Sequence, residues 1–183
     1  MQIKNKPRIA IIGVKGFPAF GGAARSMEEI IKRISKSYEI TTFEIDTHAD
    51  ENYKMPDIKR NILKSQKLKR INTFSYYIKA MVSCLKGDFD LVITNHMYCG
   101  FIIPILKLKF KVINVVHGII PKDDIKWNKI DKMFFKIFEK LSVRFSDISI
   151  TVSEPHLEYL KKIGSKNSIF IPNGIDREIQ KNI

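Results

Sequence analysis

Long apolar runs are missing from this sequence. The longest, Cys99 to Leu106, is eight residues and is followed by Lys107 and Lys109, whereas a membrane-spanning helix needs about 20. A spanning helix is therefore excluded. The amino terminus, Met1-Gln2-Ile3-Lys4-Asn5-Lys6-Pro7-Arg8, lacks the apolar region and small-residue cleavage site of a secretory signal, so a cytoplasmic location is expected. Cysteine is scarce: Cys84 and Cys99 are too few and too far apart for a zinc knuckle or a C-x-x-C redox pair. Buried free thiols are the ordinary state in a reducing compartment. A Gly/Ser-rich or Pro-rich linker and a fixed-period repeat are absent too, and 183 residues suit one core. Acidic side chains are outnumbered, 19 against 32 Lys and Arg, which leaves a net charge of +13. That surplus attracts nucleic acid, anionic lipid or phosphorylated ligands without choosing among them.

What is present is an alternation. Arg8-Ile9-Ala10-Ile11-Ile12-Gly13 reads as a strand buried on both faces. Met27, Ile30, Ile31 and Ile34 then recur at helical spacing, with Glu28, Glu29, Lys32 and Arg33 on the opposite face, which predicts a helix over about 23–36. Tyr38 to Ile45 reads as a second strand and Ile58 to Leu63 as a short third. Ile71, Phe74, Ile78, Met81, Val82 and Leu85 mark a helix that Gly87 ends, and Asp90 to Thr94 is the next strand. A helix over Phe101–Leu108 with Pro104 in or near its first turn precedes a strand at Lys111–Val116. A long amphipathic helix follows over Trp127–Phe145, then a strand at Ile148–Val152. Leu157, Leu160 and Ile163 predict a short helix stopped by Gly164, and Ile169–Ile171 the last strand. Strands alternating with helices predict an α/β fold: a Rossmann-like, doubly wound, mostly parallel sheet.

In such folds ligands sit beyond the carboxyl ends of the strands. The first of these loops, Gly13-Val14-Lys15-Gly16-Phe17-Pro18-Ala19-Phe20-Gly21-Gly22-Ala23-Ala24, is glycine-rich and feeds a helix. It suits a phosphate or diphosphate approached by backbone amides at a positive helix end. It is neither G-x-G-x-x-G nor a P-loop, since Gly21 is followed by Gly22-Ala23 where an NTPase needs Lys-Ser or Lys-Thr. Its glycines also have a plain reading as the residues of a tight turn. His96 and His117 each follow a strand on the same rim, as binding groups or as hydrogen-bonded structural histidines. Ser153-Glu154-Pro155 reads as a helix N-cap with proline in the first turn. No G-x-S-x-G elbow or H-E-x-x-H is present. Asp123-Asp124 with distant His117 is too thin a set for a metal, so none is expected.

Two features carry the charge. Lys54, Lys59, Arg60, Lys64, Lys67, Lys69 and Arg70 oppose only Asp57 between Tyr53 and Asn72, a local surplus of six. Lys129, Lys132, Lys136 and Lys140 form a stripe on the long helix beside its aromatic residues. Together they make an anionic membrane surface a candidate contact; a solvated lysine face is the plain alternative. Nucleic acid is not expected, because no helix-turn-helix, RNP-like strand or zinc module accompanies the charge.

Taken as a set, these loops resemble a known family. Gly16-x-Pro18-x-x-Gly21-Gly22 before a helix with Glu28 and Glu29, Val116-His117-Gly118, Val152-Ser153-Glu154 and Ile171-Pro172-Asn173-Gly174-Ile175-Asp176 resemble the amino-terminal domain of retaining GT-B glycosyltransferases of family four. The first loop is also similar to that of rhamnosyltransferase-like members. The resemblance implies an acceptor-side domain over 1–176 and, in 177–183, the start of a linker to a carboxyl-terminal donor-binding domain or subunit. The chain is then a truncated polypeptide, a fragment or a separately encoded half. It implies a transferase of hexosyl type using a nucleotide-diphosphate sugar and no cofactor, in envelope polysaccharide or glycolipid synthesis, with a saccharide or polyprenyl-linked acceptor. By the same resemblance Gly21 and Gly22 hold the donor diphosphate, His117 is the catalytic residue, and His96, Phe20 and Arg25 serve the acceptor. A noncatalytic scaffold subunit with the same half fold is the alternative.

Overall fold

Short apolar runs that end at glycine or at polar residues have become strands because both faces of a central parallel sheet are covered by helices. The computed structural model describes residues 6–66, 69–119 and 128–174, with the backbone alone for 69–71. Seven strands form one parallel sheet in the order β3-β2-β1-β4-β5-β6-β7: β1 (Arg8–Ile12), β2 (Glu39–Ile45), β3 (Lys59–Leu63), β4 (Leu91–Thr94), β5 (Lys111–Val116), β6 (Ile148–Thr151) and β7 (Ser168–Phe170). The helices are α1 (Gly22–Ile34), α2 (Lys69–Lys86), α3 (Ile103–Leu106), α4 (Lys129–Phe145) and α5 (Glu154–Lys162). Ile9 on β1 is in register with Ile40 on one side and Leu91 on the other.

Side-chain alternation along β1 splits the core into two layers. Ile9 and Ile11 join Phe17, Met27 and Ile31 beneath α1, whereas Ala10 and Ile12 join Tyr76, Tyr77 and Ala80 beneath α2. Each fully buried Ile, Met or Phe contributes about 1.5–3 kcal/mol, so the two layers hold the sheet from both sides. Cys84 and Cys99 are buried free thiols, each pushed up to about 12 by burial, which leaves them protonated and unreactive.

The differences from the sequence expectations have local causes. Helix α1 ends at Ile34 rather than 36, and Tyr38 is outside β2, which begins at Glu39. The single helix expected over Phe101–Leu108 is a 3₁₀ turn, Met97–Phe101, followed by one turn of α3. Pro104 offers no N–H to a continuous helix, and Gly100 packs so closely on α4 that an added Cβ would lie 1.8 Å from the Phe138 carbonyl oxygen. Ser153 caps α5 by position, with Pro155 in the first turn, but its hydroxyl makes no capping bond. Glu28, expected on the outer face of α1, is only 5% exposed. The basic segment loses Arg60, which forms a buried ion pair with Glu44 at 2.7 Å. Trp127, Asp123-Asp124, Lys67 and residues 175–183, including the expected linker, lie outside the described residues.

Candidate functional site

Numbering along the chain runs outward one way from β1 to β3 and the other way from β4 to β7, so the winding reverses between β1 and β4. Loops leaving adjacent strands diverge there and open a crevice. A cleft of about 760 Å³ occupies that place, walled by the β1–α1 loop, the residues after β2 and the residues after β4.

The β1–α1 loop is tied down at every turn. Gly13, at φ +108°, donates its N–H to the Tyr76 hydroxyl at 3.0 Å. Gly16 lies against the β2 exit, where an added Cβ would stand 2.1 Å from the His48 carbonyl oxygen. The Phe17–Pro18 peptide is cis, and the Phe17 carbonyl accepts from Asp50 N–H at 2.8 Å. Buried Glu28 reaches back from α1 to accept from Ala19 N–H at 2.8 Å and from the Tyr53 hydroxyl at 2.7 Å, and it pairs with Lys32 at 2.7 Å. Burial pushes the Glu28 carboxyl up, but the bonds from Lys32, Tyr53 and Ala19 outweigh it and hold it below the usual carboxylate range.

Gly21, at φ +87°, is the N-cap of α1, and no side chain caps the helix. The first turn contains no acidic residue. Its positive end therefore faces the cleft, and no described side chain makes a capping bond to it. Gly21 and Gly22 both line the cleft, and a Cβ at either would meet no described atom within 4 Å.

The opposite wall comes from the end of β4. Asn95, 1% exposed, donates from Nδ2 to the Ala23 carbonyl at 3.5 Å, and its Oδ1 lies 2.8 Å from His117 Nε2. With Oδ1 as acceptor, His117 donates from Nε2 and keeps a lone pair on Nδ1. Burial lowers the His117 pKa, which favours the neutral ring. His96 caps the 3₁₀ turn, accepting from Tyr98 N–H, and stacks on the Tyr98 ring at 4.3 Å. Burial first, then the charges of His117 and Lys15, lower it to about 4.

The expected site residues thus divide. Gly21, Gly22, Phe20 and His96 line one cleft, with Phe20 94% exposed. His117 joins that wall through Asn95, and Arg25 is an exposed residue of α1 outside the lining. Asn173, from the Pro-Asn-Gly segment, accepts from Ser26 Oγ at 3.1 Å and so lies beside α1. Among the described residues no group of three or more His, Cys, Asp or Glu is placed to hold a metal ion.

The sequence profile described as Glycosyltransferase Family 4 matches residues 20–179. The chain belongs to this family. No curated protein matches it significantly. Among solved structures, the family 4 chain is similar to HepE of Anabaena, crystallised with UDP and glucose: TM-score 0.62 and 16% identity, covering 93% of this chain and 45% of that one. It is similar to sucrose-phosphate synthase of Thermosynechococcus elongatus, with TM-score 0.72 and 18% identity over 97% of this chain and 53% of that one. The lipopolysaccharide outer core galactosyltransferase WaaB gives 0.58 and 17%, over 92% and 46%. The chain spans about half the length of these proteins, and its fold is the amino-terminal half of a GT-B fold.

Sequence reasoning missed Asn95, Lys15 and the inward role of Glu28. For Asn95 a signal was available, an amide side chain immediately after a buried strand on the binding rim. For Glu28 none was, because a carboxylate beside Glu29, with Lys32 one turn on, reads as solvated at helical period.

Proposed function

We propose that this chain is the acceptor-side half of an enzyme that moves a sugar from a nucleoside-diphosphate sugar to a saccharide or lipid-linked acceptor in envelope polysaccharide or glycolipid synthesis. Retention of configuration without an obligatory metal is part of the reading. The observation that supports it is the uncapped amino-terminal end of α1, held against the cleft of a family 4 domain by Gly21, Gly22 and buried Glu28.

As the glycosidic bond to the donor breaks, negative charge grows on the departing diphosphate. Amide donors fixed beforehand stabilise that charge without reorganising. Gly21 and Gly22 supply such amides at a helix end where anions are favoured. Neutral His117, oriented by Asn95, offers Nδ1 to a sugar hydroxyl, while His96 and exposed Phe20 form the wall met by the acceptor; Arg25 stands at its margin. A donor-binding domain or subunit supplies the other wall.

A peripheral membrane contact extends the reading. Among the described residues no helix is long and apolar enough to cross a membrane. Ile130, Met133, Phe134 and Ile137 of α4 and Phe74, Ile78 and Val82 of α2 are each more than 40% exposed. The two faces meet where Phe74 and Phe134 both contact Phe138, at 6.1 and 6.2 Å. Lys129, Lys136 and Lys140 are exposed on α4 beside them. Apolar side chains beside lysines fit an anionic lipid surface, where rings and methyls enter the headgroup boundary and ammonium groups meet phosphate.

The decisive experiment is transfer from a nucleotide sugar with and without a complementary donor-binding half. The chain alone is expected to transfer nothing and to bind nucleoside diphosphate at about millimolar or weaker. In the reconstituted pair His117→Ala is expected to cut transfer about tenfold to a thousandfold. No transfer by any reconstituted pair would leave the scaffold alternative. Vesicles with anionic lipid are expected to retain the chain at low salt and release it at high salt, since the Debye length is about 10 Å at 0.1 M; equal retention by neutral vesicles contradicts the lipid contact.

A further inference from the structure

Three half-buried cations among the described residues pair with a carboxylate. Lys32 pairs with Glu28 and Glu29, Arg60 with Glu44, and Arg8 with Asp88. Lys15 differs. It is half-buried between the β1–α1 loop, the β2 exit and α2, and among the described residues its ammonium has a single polar partner, the Thr73 hydroxyl at 3.5 Å. Its pKa is lowered by burial, and no described carboxylate acts on it. An ammonium withdrawn from water without a counter-charge is unfavourable unless something supplies that charge.

The space around Lys15 is built to supply hydrogen bonds. A second cavity, of about 300 Å³, is lined by Lys15, Ile45, His48, Asn72, Thr73 and Tyr76. Lys15 and His48 also line the main cleft, so the two spaces are neighbours. Asn72 commits its amide oxygen to Gln66 N–H at 2.8 Å, which leaves its NH₂ as donor. The Tyr76 hydroxyl is already engaged, accepting from Gly13 N–H and donating to the Phe43 carbonyl at 2.8 Å. Among the described residues no acidic side chain lines this cavity. An ammonium, a hydroxyl and an amide NH₂ in one recess match an oxyanion.

We propose that the Lys15–Thr73–Asn72 recess is an acid-group subsite, which takes a carboxylate or phosphoryl group carried by the acceptor. This rests on the reading of the chain as the acceptor-side half. The acceptor, rather than the donor diphosphate, is assigned because the recess is lined by Asn72, Thr73 and Tyr76 of α2 and, among the described residues, not by Gly21 or Gly22, the residues at the end of α1. It also adjoins the basic segment, whose Ser65 and Gln66 lead from exposed Lys64 to Asn72. The acceptor class that follows is an acidic or phosphorylated saccharide.

The test is a set of calorimetric titrations of the full chain with glucose 1-phosphate, glucuronate, inorganic phosphate and UDP. Glucose 1-phosphate or glucuronate is expected to bind the wild type, to bind Lys15→Met at least about tenfold more weakly, the loss of one charge-assisted hydrogen bond, and to weaken less with Thr73→Val. UDP is expected to bind Lys15→Met and wild type alike. The Lys15→Met thermal midpoint is expected to equal or exceed that of the wild type, because an uncompensated charge has been removed. Thr73→Val gives a second reading if Lys15→Met does not fold. Unchanged binding of both sugar acids, no binding of either by wild type, or inorganic phosphate binding as tightly as both overturns the proposal. Loss of UDP binding with sugar-acid binding intact also overturns it and assigns Lys15 to the donor. Because the titrations need no transfer, the subsite and the transferase reading fail separately.

Discussion

Two glycines in rim loops, Gly16 after β1 and Gly118 after β5, stand in opposite surroundings. Gly16 is buried with the β2 exit against it, whereas Gly118 is exposed and has no described atom within 4 Å of where a Cβ would lie. The difference extends to their loops. The β1 loop is bonded to β2, α1 and α2, and Tyr53 donates to the Glu28 that holds it from α1, while His117 before Gly118 has its hydrogen bond to Asn95. One side of the candidate site is fixed in advance by buried polar contacts; the other offers a side chain on a short tether. Preorganised amides need the first kind of support and a residue that adjusts to substrate needs the second.

This contrast can be broken deliberately. Gly16→Ala is expected to cost about 3 kcal/mol, because the carbonyl it meets is backbone and cannot step aside cheaply; urea denaturation measures it. Gly118→Ala, at a position without positive φ, is expected to stay within about 0.5 kcal/mol in the same assay. Equal costs would erase the distinction.

Glu28→Gln comes next, at about 2 kcal/mol, since the amide cannot accept from Ala19, Tyr53 and Lys32 together as the carboxylate does. Tyr53→Phe is expected to cost about 1 kcal/mol. Because the folded carboxyl is held below its ordinary value of 4.5, its contribution is complete above that value and is lost as pH falls through the lower folded pKa. An acid-unfolding profile of Glu28→Gln should lack this part of the wild-type decline.

His96 gives a smaller, pH-selective effect. Its folded pKa of about 4 lies below the ordinary 6.5, so the unfolded chain takes the proton first. Stability is full above about 6.5 and declines as pH falls toward 4. His96→Asn, which retains a capping acceptor, is expected to flatten that part of the profile in urea unfolding. His117→Ala is expected to stay within about 1 kcal/mol of wild type; severe unfolding would make His117 a structural residue and remove it from the proposed chemistry.

Much of this was legible beforehand. The strand runs, the α1 face carrying Met27 and Ile31, the stop at Gly164 and the rim position of His96 and His117 all follow from local periodicity and from glycine. Less legible was exposure. Phe74, Ile78, Phe134 and Ile137 mark helical faces, and a period of 3.6 says that residues share a face without saying what the face meets.

By itself the sequence determined an α/β chain with glycine-rich and histidine-bearing loops at one edge, because a parallel sheet writes its pattern into neighbouring residues. Tertiary structure decided the rest. Only it turned Glu28 inward, paired Arg60 with Glu44, joined Asn95 to His117 and left Lys15 beside Thr73 without a described carboxylate. Those outcomes depend on partners up to 58 positions apart, and a charge or amide carries no local mark of which distant group will meet it.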